Sequence, residues 1–248
     1  TRRRWAGLAS KAPRPNWRDR AFVVRTYDFG EADRVVVLLT KNHGLIRGVA
    51  KGVRKAKSRF GSRLQPFVEV DALIYPGRGL STIASADTVT YFGARIIDDF
   101  DRYAAACAVM ETAEKLSFDE ADPTLFALVQ DALRNLQTNQ HPTMVLDAFI
   151  LQATEHAGWG LSLFNCANCG APGPHKAFNA TQGGAVCNNC RPPGSMDVHP
   201  ETLHEMWLME RGSEVPSIRV AQIHRATVAH LQFNLETGLK SFKIMEQA

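Results

Sequence analysis

Residues 33–51, with the sequence DRVVVLLTKNHGLIRGVAK, contain the pattern that decides the fold of the first part of the chain. Two apolar runs, 33–40 and 44–51, lie on either side of a short polar segment. Val and Ile favour β-strands, and Asn42-His43-Gly44 supplies the residue types of a turn. The stretch therefore predicts two strands joined by a tight turn.

Three further runs extend this pattern on both sides. They predict strands at 21–27, 66–75 and 81–91, with turns at Gly30 and at Pro76-Gly77-Arg78-Gly79. A parallel sheet would need crossover helices, and most of the intervening segments are too short for one. Five short strands in this order therefore predict a small β-barrel.

After Asp98 the apolar residues repeat with a helical period instead. A first helix with one apolar face is predicted from residues three or four positions apart, namely Phe100, Tyr103, Cys107 and Met110. A second begins at Asp122-Pro123, because Asp is a favoured N-cap and Pro a favoured first-turn residue. Further helices are predicted at 146–157, 200–211 and 218–237, each followed by Gly158, Gly212 or Gly238. Amphipathic helices with short connections must bury their apolar faces together, so a helical domain should follow the barrel.

Four of the five cysteines form two close pairs within the irregular segment 159–198. The pairs are Cys166-Ala-Asn-Cys169 and Cys187-Asn-Asn-Cys190, and 17 residues separate them. This spacing is typical of Cys-x-x-Cys pairs that share one zinc ion. Four thiolates fill a tetrahedron, so the predicted Zn²⁺ is structural rather than catalytic. A redox pair, a cluster and disulfides remain alternatives, as does His175 as a replacement ligand, although an exposed loop histidine is the preferred interpretation. Cys107 is predicted to be a small core residue.

Charge is distributed very unevenly along the chain. The first 65 residues contain 17 Lys and Arg but 4 Asp and Glu, a net charge of +13, whereas the remainder contains 12 and 21, a net charge of −9. Segregation on this scale indicates a polyanion-binding surface on the first module. A basic surface without a partner is the alternative.

The most basic segment, 51–63, joins the third and fourth predicted strands and has six cationic side chains and no acidic one. Phosphates would neutralise it and release counterions. Basic residues on or beside the preceding strands would extend the patch across one barrel face. The predicted nucleic-acid-binding residues are Arg34, Lys41, Arg47, Lys51, Arg54, Lys55, Lys57, Arg59 and Arg63. Tyr27, Phe29 or Phe60 could stack on bases, although core positions are the preferred interpretation. A localisation signal is another interpretation of the basic run.

No catalytic motif is recognisable in the sequence. A phosphate-binding loop, a nucleophile elbow and a His-Glu-x-x-His pair are all missing, which predicts a protein without catalytic residues. Asp98, Asp99 and Asp101 resemble a nuclease metal site, but carboxylates at the start of a helix have a structural explanation. No apolar run is long enough to span a membrane and no secretory signal is present, so a cytoplasmic location is expected.

Short motifs in a fixed order along most of the chain resemble those of the bacterial RecO family of recombination mediators. The motifs are Phe29-Gly-Glu-Ala-Asp-Arg34, Thr40-Lys-Asn-His-Gly44, Ala50-Lys51-Gly52-Val-Arg54, Lys57-Ser58-Arg59, Leu64-Gln65-Pro66-Phe67, Gly77-Arg78-Gly79-Leu80, Cys169-Gly170, Gly183-Gly184 with Cys187-x-x-Cys190, and Leu239-Lys240-Ser241. The similarity begins near Ala21. The basic arm that precedes it, from Arg2-Arg3-Arg4 to Arg20, does not match the family pattern, and its role is open.

This resemblance implies an α+β multidomain protein. It would have an N-terminal OB-fold at 1–92 and a helical domain at 93–248, with a zinc module at 159–198 inserted before the C-terminal helices. It further implies binding of single- and double-stranded DNA, annealing of complementary strands and, with RecR, loading of RecA onto DNA coated by single-stranded-DNA-binding protein, whose acidic tail would be a contact. A nucleoid-associated cytoplasmic protein is expected.

Two other classes of protein remain possible from the sequence. One is an enzyme fragment that pairs an OB-fold with a four-cysteine module, as NAD-dependent DNA ligases do, although no lysine has their Lys-x-Asp-Gly context. The other is a zinc-ribbon adaptor for transcription or the ribosome, which would bind a specific protein or a structured RNA.

Overall fold

The computed structural model describes residues 15–117, 120–216 and 218–245. Its first part is a closed barrel with the strand order β1-β2-β3-β5-β4. These strands are β1 (Trp17–Phe29), β2 (Asp33–Thr40), β3 (Leu45–Ala50), β4 (Val68–Tyr75) and β5 (Ser81–Tyr91). Neighbouring strands are antiparallel except β3 and β5, which run parallel. The predicted five-stranded, OB-like barrel is confirmed, with β1 starting earlier than the sequence pattern indicated.

Side chains at both ends of the barrel pack against its core. At one end, the segment 51–67 between β3 and β4, here called the connector, contributes Phe60 and Leu64 to the barrel core, where they are 0% and 1% exposed. At the other end, Trp17 packs against the same core. This second end, the hairpin end, carries the β2–β3 turn at 41–44.

One side of the barrel's outer surface is as apolar as its interior. Phe22 and Val37 alternate with inward-facing residues along β1 and β2, yet they belong to the core that the helices share. The ring of Phe22 lies 4.8 Å from that of Phe126 between centroids. Two polar contacts flank this interface: Gln130 donates to buried Glu69 at 3.0 Å, and Arg25 pairs with Glu114 at 2.6 Å. The helices therefore pack directly on the barrel wall.

Three helices make up the body that covers the barrel: α1 (Phe100–Leu116), α2 (Pro123–Leu136) and α3 (Pro142–His156). The predicted apolar face of α1 is wrong in part, because Phe100 and Tyr103 remain 53% and 42% exposed and only Met110 is fully buried. The buried surface of α1 is instead rich in alanine, including Ala105, Ala106, Ala108 and Ala113. Small side chains on several sides let α2, α3 and the barrel approach α1 closely.

The last part of the chain contains α4 (Pro200–Glu210), α5 (Val220–Leu235) and α6 (Lys240–Met245). The sequence pattern did not predict α6. It is tied to α1 by Glu111, whose carboxylate accepts from the backbone N–H of Lys240 at 3.0 Å and of Ser241 at 2.8 Å. Burial opposes ionisation of Glu111, but these hydrogen bonds hold its pKa below the usual value. None of the helices in the described ranges combines the length and apolarity needed to cross a bilayer.

The cysteine-containing insert forms a small sheet with the order β7-β6-β8. Its strands are β6 (Ala177–Asn179), β7 (Gly184–Ala185) and β8 (Met196–Asp197). Leu163 and Phe178 join a core with residues of α3, α4 and α5, so part of the insert rests on the helical body. The predicted domain limits at 1–92, 93–248 and 159–198 stay predictions, and residues 1–14 with most of the basic arm lie outside the described residues.

The burial of Phe60 predicts that the connector is part of the barrel's stability. Phe60→Ala should lower the free energy of unfolding by about 3–5 kcal/mol, because the cavity at the end of the barrel cannot collapse fully. Phe29→Ala is the matched control: its ring is 49% exposed, so the change should stay within about 0.5 kcal/mol. Urea unfolding measures both, and equal values for the two variants would contradict the plugging role.

Candidate nucleic-acid interface and metal centre

The connector is held to the barrel by its backbone and its apolar side chains. The N–H of Gly52 donates to the Asp33 carboxylate at 2.7 Å, and the N–H of Arg54 donates to the Ala32 carbonyl at 3.0 Å. Further along, Phe60 and Leu64 are buried in the barrel. With its ends and its middle fixed in this way, the connector directs its charged side chains outward.

Most of the predicted cations on the connector are unpaired within the part of the chain that the structure describes. Five exposed residues have no carboxylate within 4.0 Å there: Lys51, Lys55, Lys57, Arg59 and Arg63. Arg54 pairs with Asp28 at 3.3 Å, and Arg34 pairs with the same carboxylate at 3.0 Å. The connector end of the barrel is thus positive on balance: seven Lys and Arg side chains, counting Arg34, face three acidic groups, Asp28, Glu31 and Asp33.

The other two predicted residues lie away from the connector. Lys41 follows the last residue of β2, about 23 Å along that strand from Arg34 at the usual rise per residue. Arg47 is exposed in β3, directly opposite Val37, whose side chain packs into the helical body. The nine predicted residues therefore occupy both ends of the barrel and a strand between them, rather than one continuous patch.

The three aromatic candidates for base stacking differ in exposure. Phe60 is fully buried, so the structure excludes it as a stacking platform. Tyr27 and Phe29 are 39% and 49% exposed, and the Arg25 guanidinium lies 5.4 Å from the Tyr27 ring centroid. These two rings remain available to a ligand at the connector end.

The four paired cysteines come together at one point. The sulfur atoms of Cys166, Cys169, Cys187 and Cys190 all lie within 4.8 Å of one another, and the Sγ atoms of Cys169 and Cys187 are 3.9 Å apart. A tetrahedral four-thiolate site with metal–sulfur bonds of about 2.3 Å places its sulfurs roughly 3.8 Å apart. The arrangement therefore fits a single metal ion.

Backbone hydrogen bonds prepare one of these thiols for ionisation. The N–H of Cys187 points at Cys166 Sγ at 3.4 Å, and bonds of this kind lower the pKa of Cys166 to about 6. Cys190 shows the opposite effect, because hydrogen bonds with the thiols of Cys169 and Cys187 raise its pKa to about 12. Four thiolates so close together repel one another, and a divalent cation removes that repulsion.

Other residues considered from the sequence have structural roles. His175 is not among the clustered ligands; it is buried, not exposed as expected, and its Nε2 lies 3.0 Å from the Ala171 carbonyl oxygen. Asp99 caps α1 by accepting from the Arg102 N–H at 3.0 Å, which lowers its pKa. This is the structural explanation preferred above. Cys107 is half-buried beside the main core.

One further feature of the barrel was not predicted from the sequence. At the hairpin end, the rings of Trp17 and His43 stack in parallel with centroids 3.8 Å apart and an interplanar angle of 3°. The two residues are distant in sequence, and no periodicity relates them. The only available signal was the position of His43 in a turn next to Lys41.

Comparison with protein-family models agrees with this architecture. Residues 14–92 match the model described as Recombination protein O N terminal, and residues 97–243 match the one described as Recombination protein O C terminal. The first match coincides with the barrel, and the second with the helices and the cysteine cluster. Together they cover nearly the whole chain and favour neither a ligase fragment nor a zinc-ribbon adaptor. The chain therefore belongs to the RecO family of DNA repair and recombination proteins.

Proposed function

We propose that this protein binds single- and double-stranded DNA through the barrel and promotes the annealing of complementary strands. The observation that carries the proposal is the set of unpaired cations on the connector, at one end of an OB-like barrel. Side chains of this kind attract phosphates without reading bases, so binding should tolerate any sequence.

The residues proposed to contact DNA are those predicted from the sequence: Arg34, Lys41, Arg47, Lys51, Arg54, Lys55, Lys57, Arg59 and Arg63. The fixed backbone of the connector supports this role, because cations on an ordered segment lose less side-chain and backbone freedom when they bind. Arg34 and Arg54 would exchange part of their pairing with Asp28 for phosphate contacts.

Family membership supports a place for this chain in a recombination pathway. RecR, single-stranded-DNA-binding protein through its acidic tail, and RecA are the proposed protein partners, and the protein would act as a mediator rather than as an enzyme. Its proposed location is the cytoplasm, in association with the nucleoid.

The proposed metal is one structural Zn²⁺ held by Cys166, Cys169, Cys187 and Cys190. Four cysteine ligands suit Zn²⁺ and leave no position for water or substrate. The apolar cluster beneath the four ligands is small, with Cys166, Ala177 and Val186 as its buried members. The metal would therefore supply much of the folding energy of the two Cys-x-x-Cys turns, 166–169 and 187–190, here called the knuckles.

The first prediction concerns the salt dependence of DNA binding. If about five phosphates are neutralised, log affinity should fall with a slope of about −4 against log salt, and replacing Lys55, Lys57 and Arg59 by Ala should flatten it by about two to three units. The matched control replaces three exposed cations elsewhere, Arg95, Lys176 and Arg225, by Ala, and should change the slope by less than about one. An unchanged slope in the connector variant would place the main site elsewhere.

The second prediction is that annealing requires no nucleotide. The sequence has no phosphate-binding loop, so complementary strands should anneal at the same rate with and without ATP. Fluorescence quenching between labelled strands measures that rate. ATP hydrolysis in proportion to the duplex formed, in protein free of recombinase, would contradict the proposal.

The third prediction separates a structural metal from one in the DNA interface. Cys187→Ser should lose zinc and open the main chain near residues 160–195 to proteolysis, including trypsin cleavage after Lys176, because the disordered chain gains more entropy than the remaining contacts offset. Binding of DNA by the barrel should survive within a few-fold, since the two sites are separate. Cys107→Ser is the control and should keep both zinc and protease resistance. Metal-free protein that resists trypsin but no longer binds single strands would show that the module belongs to the DNA-binding surface.

A further inference from the structure

The hairpin end of the barrel carries an aromatic stack whose outer ring faces solvent. Trp17 packs against the barrel core on one side and against the His43 ring on the other, at 3.8 Å and 3°. One face of His43 is therefore covered by Trp17. Since 37% of the His43 side chain is exposed, that exposure belongs to its other face and its edge.

A buried carboxylate holds the outer ring in place. His43 Nδ1 lies 2.7 Å from Asp19 Oδ2, and the Asp19 side chain is only 2% exposed. Asp19 is itself fixed by the N–H of Asn42 at 2.7 Å, the side-chain amide of Asn42 at 2.8 Å and the N–H of Arg20 at 2.9 Å. The His43 ring can therefore neither tilt nor turn without breaking this network.

Two cations, Lys41 and Arg78, lie at the same end of the barrel as these rings. Lys41 precedes His43 in the same turn, and exposed Arg78 lies in the β4–β5 turn at the same end of the barrel. Within the described ranges, neither has a carboxylate within 4.0 Å. Arg18 differs, because it already pairs with Asp71 and Asp87.

We propose that the hairpin end is a second contact for single-stranded DNA, in which a base stacks on His43 while Lys41 and Arg78 meet the flanking phosphates. A flat, fixed ring with an open face and nearby cations is the arrangement that unpaired bases require. This inference rests on the proposed DNA binding and extends it from the connector to the opposite end of the barrel.

The distance between the two ends sets the kind of ligand that reaches both. Arg34 and Lys41 are about 23 Å apart along β2, and exposed Arg47 lies on the neighbouring strand between them. OB-folds bind about 4–16 nucleotides of single strand, so one strand can touch the connector, Arg47 and the hairpin in turn. The ligand is therefore a single strand running along the barrel.

The test compares two histidines that are similarly exposed and each contact an aspartate. His43→Ala is the probe, and His156→Ala is the control, because His156 also pairs with an aspartate and is 36% exposed, against 37% for His43. Each variant is titrated with an oligothymidylate of about 16 nucleotides and with the same backbone lacking its bases. His43→Ala should bind the oligothymidylate roughly tenfold more weakly than the unmodified protein does. Its affinity for the base-free strand and the salt slope should both stay unchanged. His156→Ala should match the unmodified protein on both ligands.

A conservative variant and a direct measurement guard against a folding defect. His43→Phe keeps a ring without the bond to Asp19 and should retain the affinity within about threefold. In the unmodified protein, an oligonucleotide with photoreactive 5-iododeoxyuridine should crosslink to the tryptic peptide 42–47, which contains His43.

Several outcomes would contradict base stacking at His43 without contradicting DNA binding by the connector. If His43→Ala binds the oligothymidylate as tightly as the unmodified protein, or weakens binding to the base-free strand equally, no base stacks there. Crosslinks found only outside peptide 42–47 would also contradict base stacking at His43. The hairpin end would then be a candidate surface for a protein partner. Failure of the proposed DNA binding at the connector gives a different result. In that case the variant with Lys55, Lys57 and Arg59 replaced by Ala would bind DNA with the same affinity and salt slope as the unmodified protein.

Discussion

The structure depends on one constraint: the barrel has apolar residues on both sides of its wall along β1 and β2. Phe22 and Val37 face outward, and leaving such side chains in water costs about 1.5–3 kcal/mol each. The helices α1, α2 and α3 must cover them, so the barrel and helices share a core. An alanine-rich α1 allows this, because small side chains let it lie close to the barrel and to two other helices at once.

Covering that wall determines which parts of the barrel can meet DNA. With the outward-facing apolar residues of β1 and β2 covered by helices, the connector end, the hairpin end and the exposed margin at Arg47 remain open, as does the outer face of β5. The connector combines two roles that usually conflict. Phe60 and Leu64 anchor it in the barrel, and the charged residues between and around them stay in solvent. A segment with this charge would repel itself if it were free, so its anchors keep the cations together in the absence of phosphate.

The cysteine-containing insert is also held in two different ways, by an apolar contact in one part and by its four cysteines in the other. Phe178 attaches the insert to the helical core, whereas the knuckles around Cys166 and Cys187 have little apolar surface of their own. A backbone hydrogen bond from Cys187 to the sulfur of Cys166 helps to orient that ligand. Loss of the metal should therefore loosen the two Cys-x-x-Cys turns first and then the short sheet beside them.

The sequence by itself determined the features that depend on local pattern: the five strands, the helices that follow Asp99 and Asp122, and the cysteine spacing that brings four sulfurs together. These follow from residues close together in the chain, whose spacing already fixes their geometry. Only the tertiary structure decided which residues of α1 are buried, that Phe60 is a plug rather than a stacking ring, and that Trp17 lies under His43. The physical reason is the same in each case. Burial and stacking depend on residues distant in sequence, and no pattern within one helix or strand specifies which of them will pack against it.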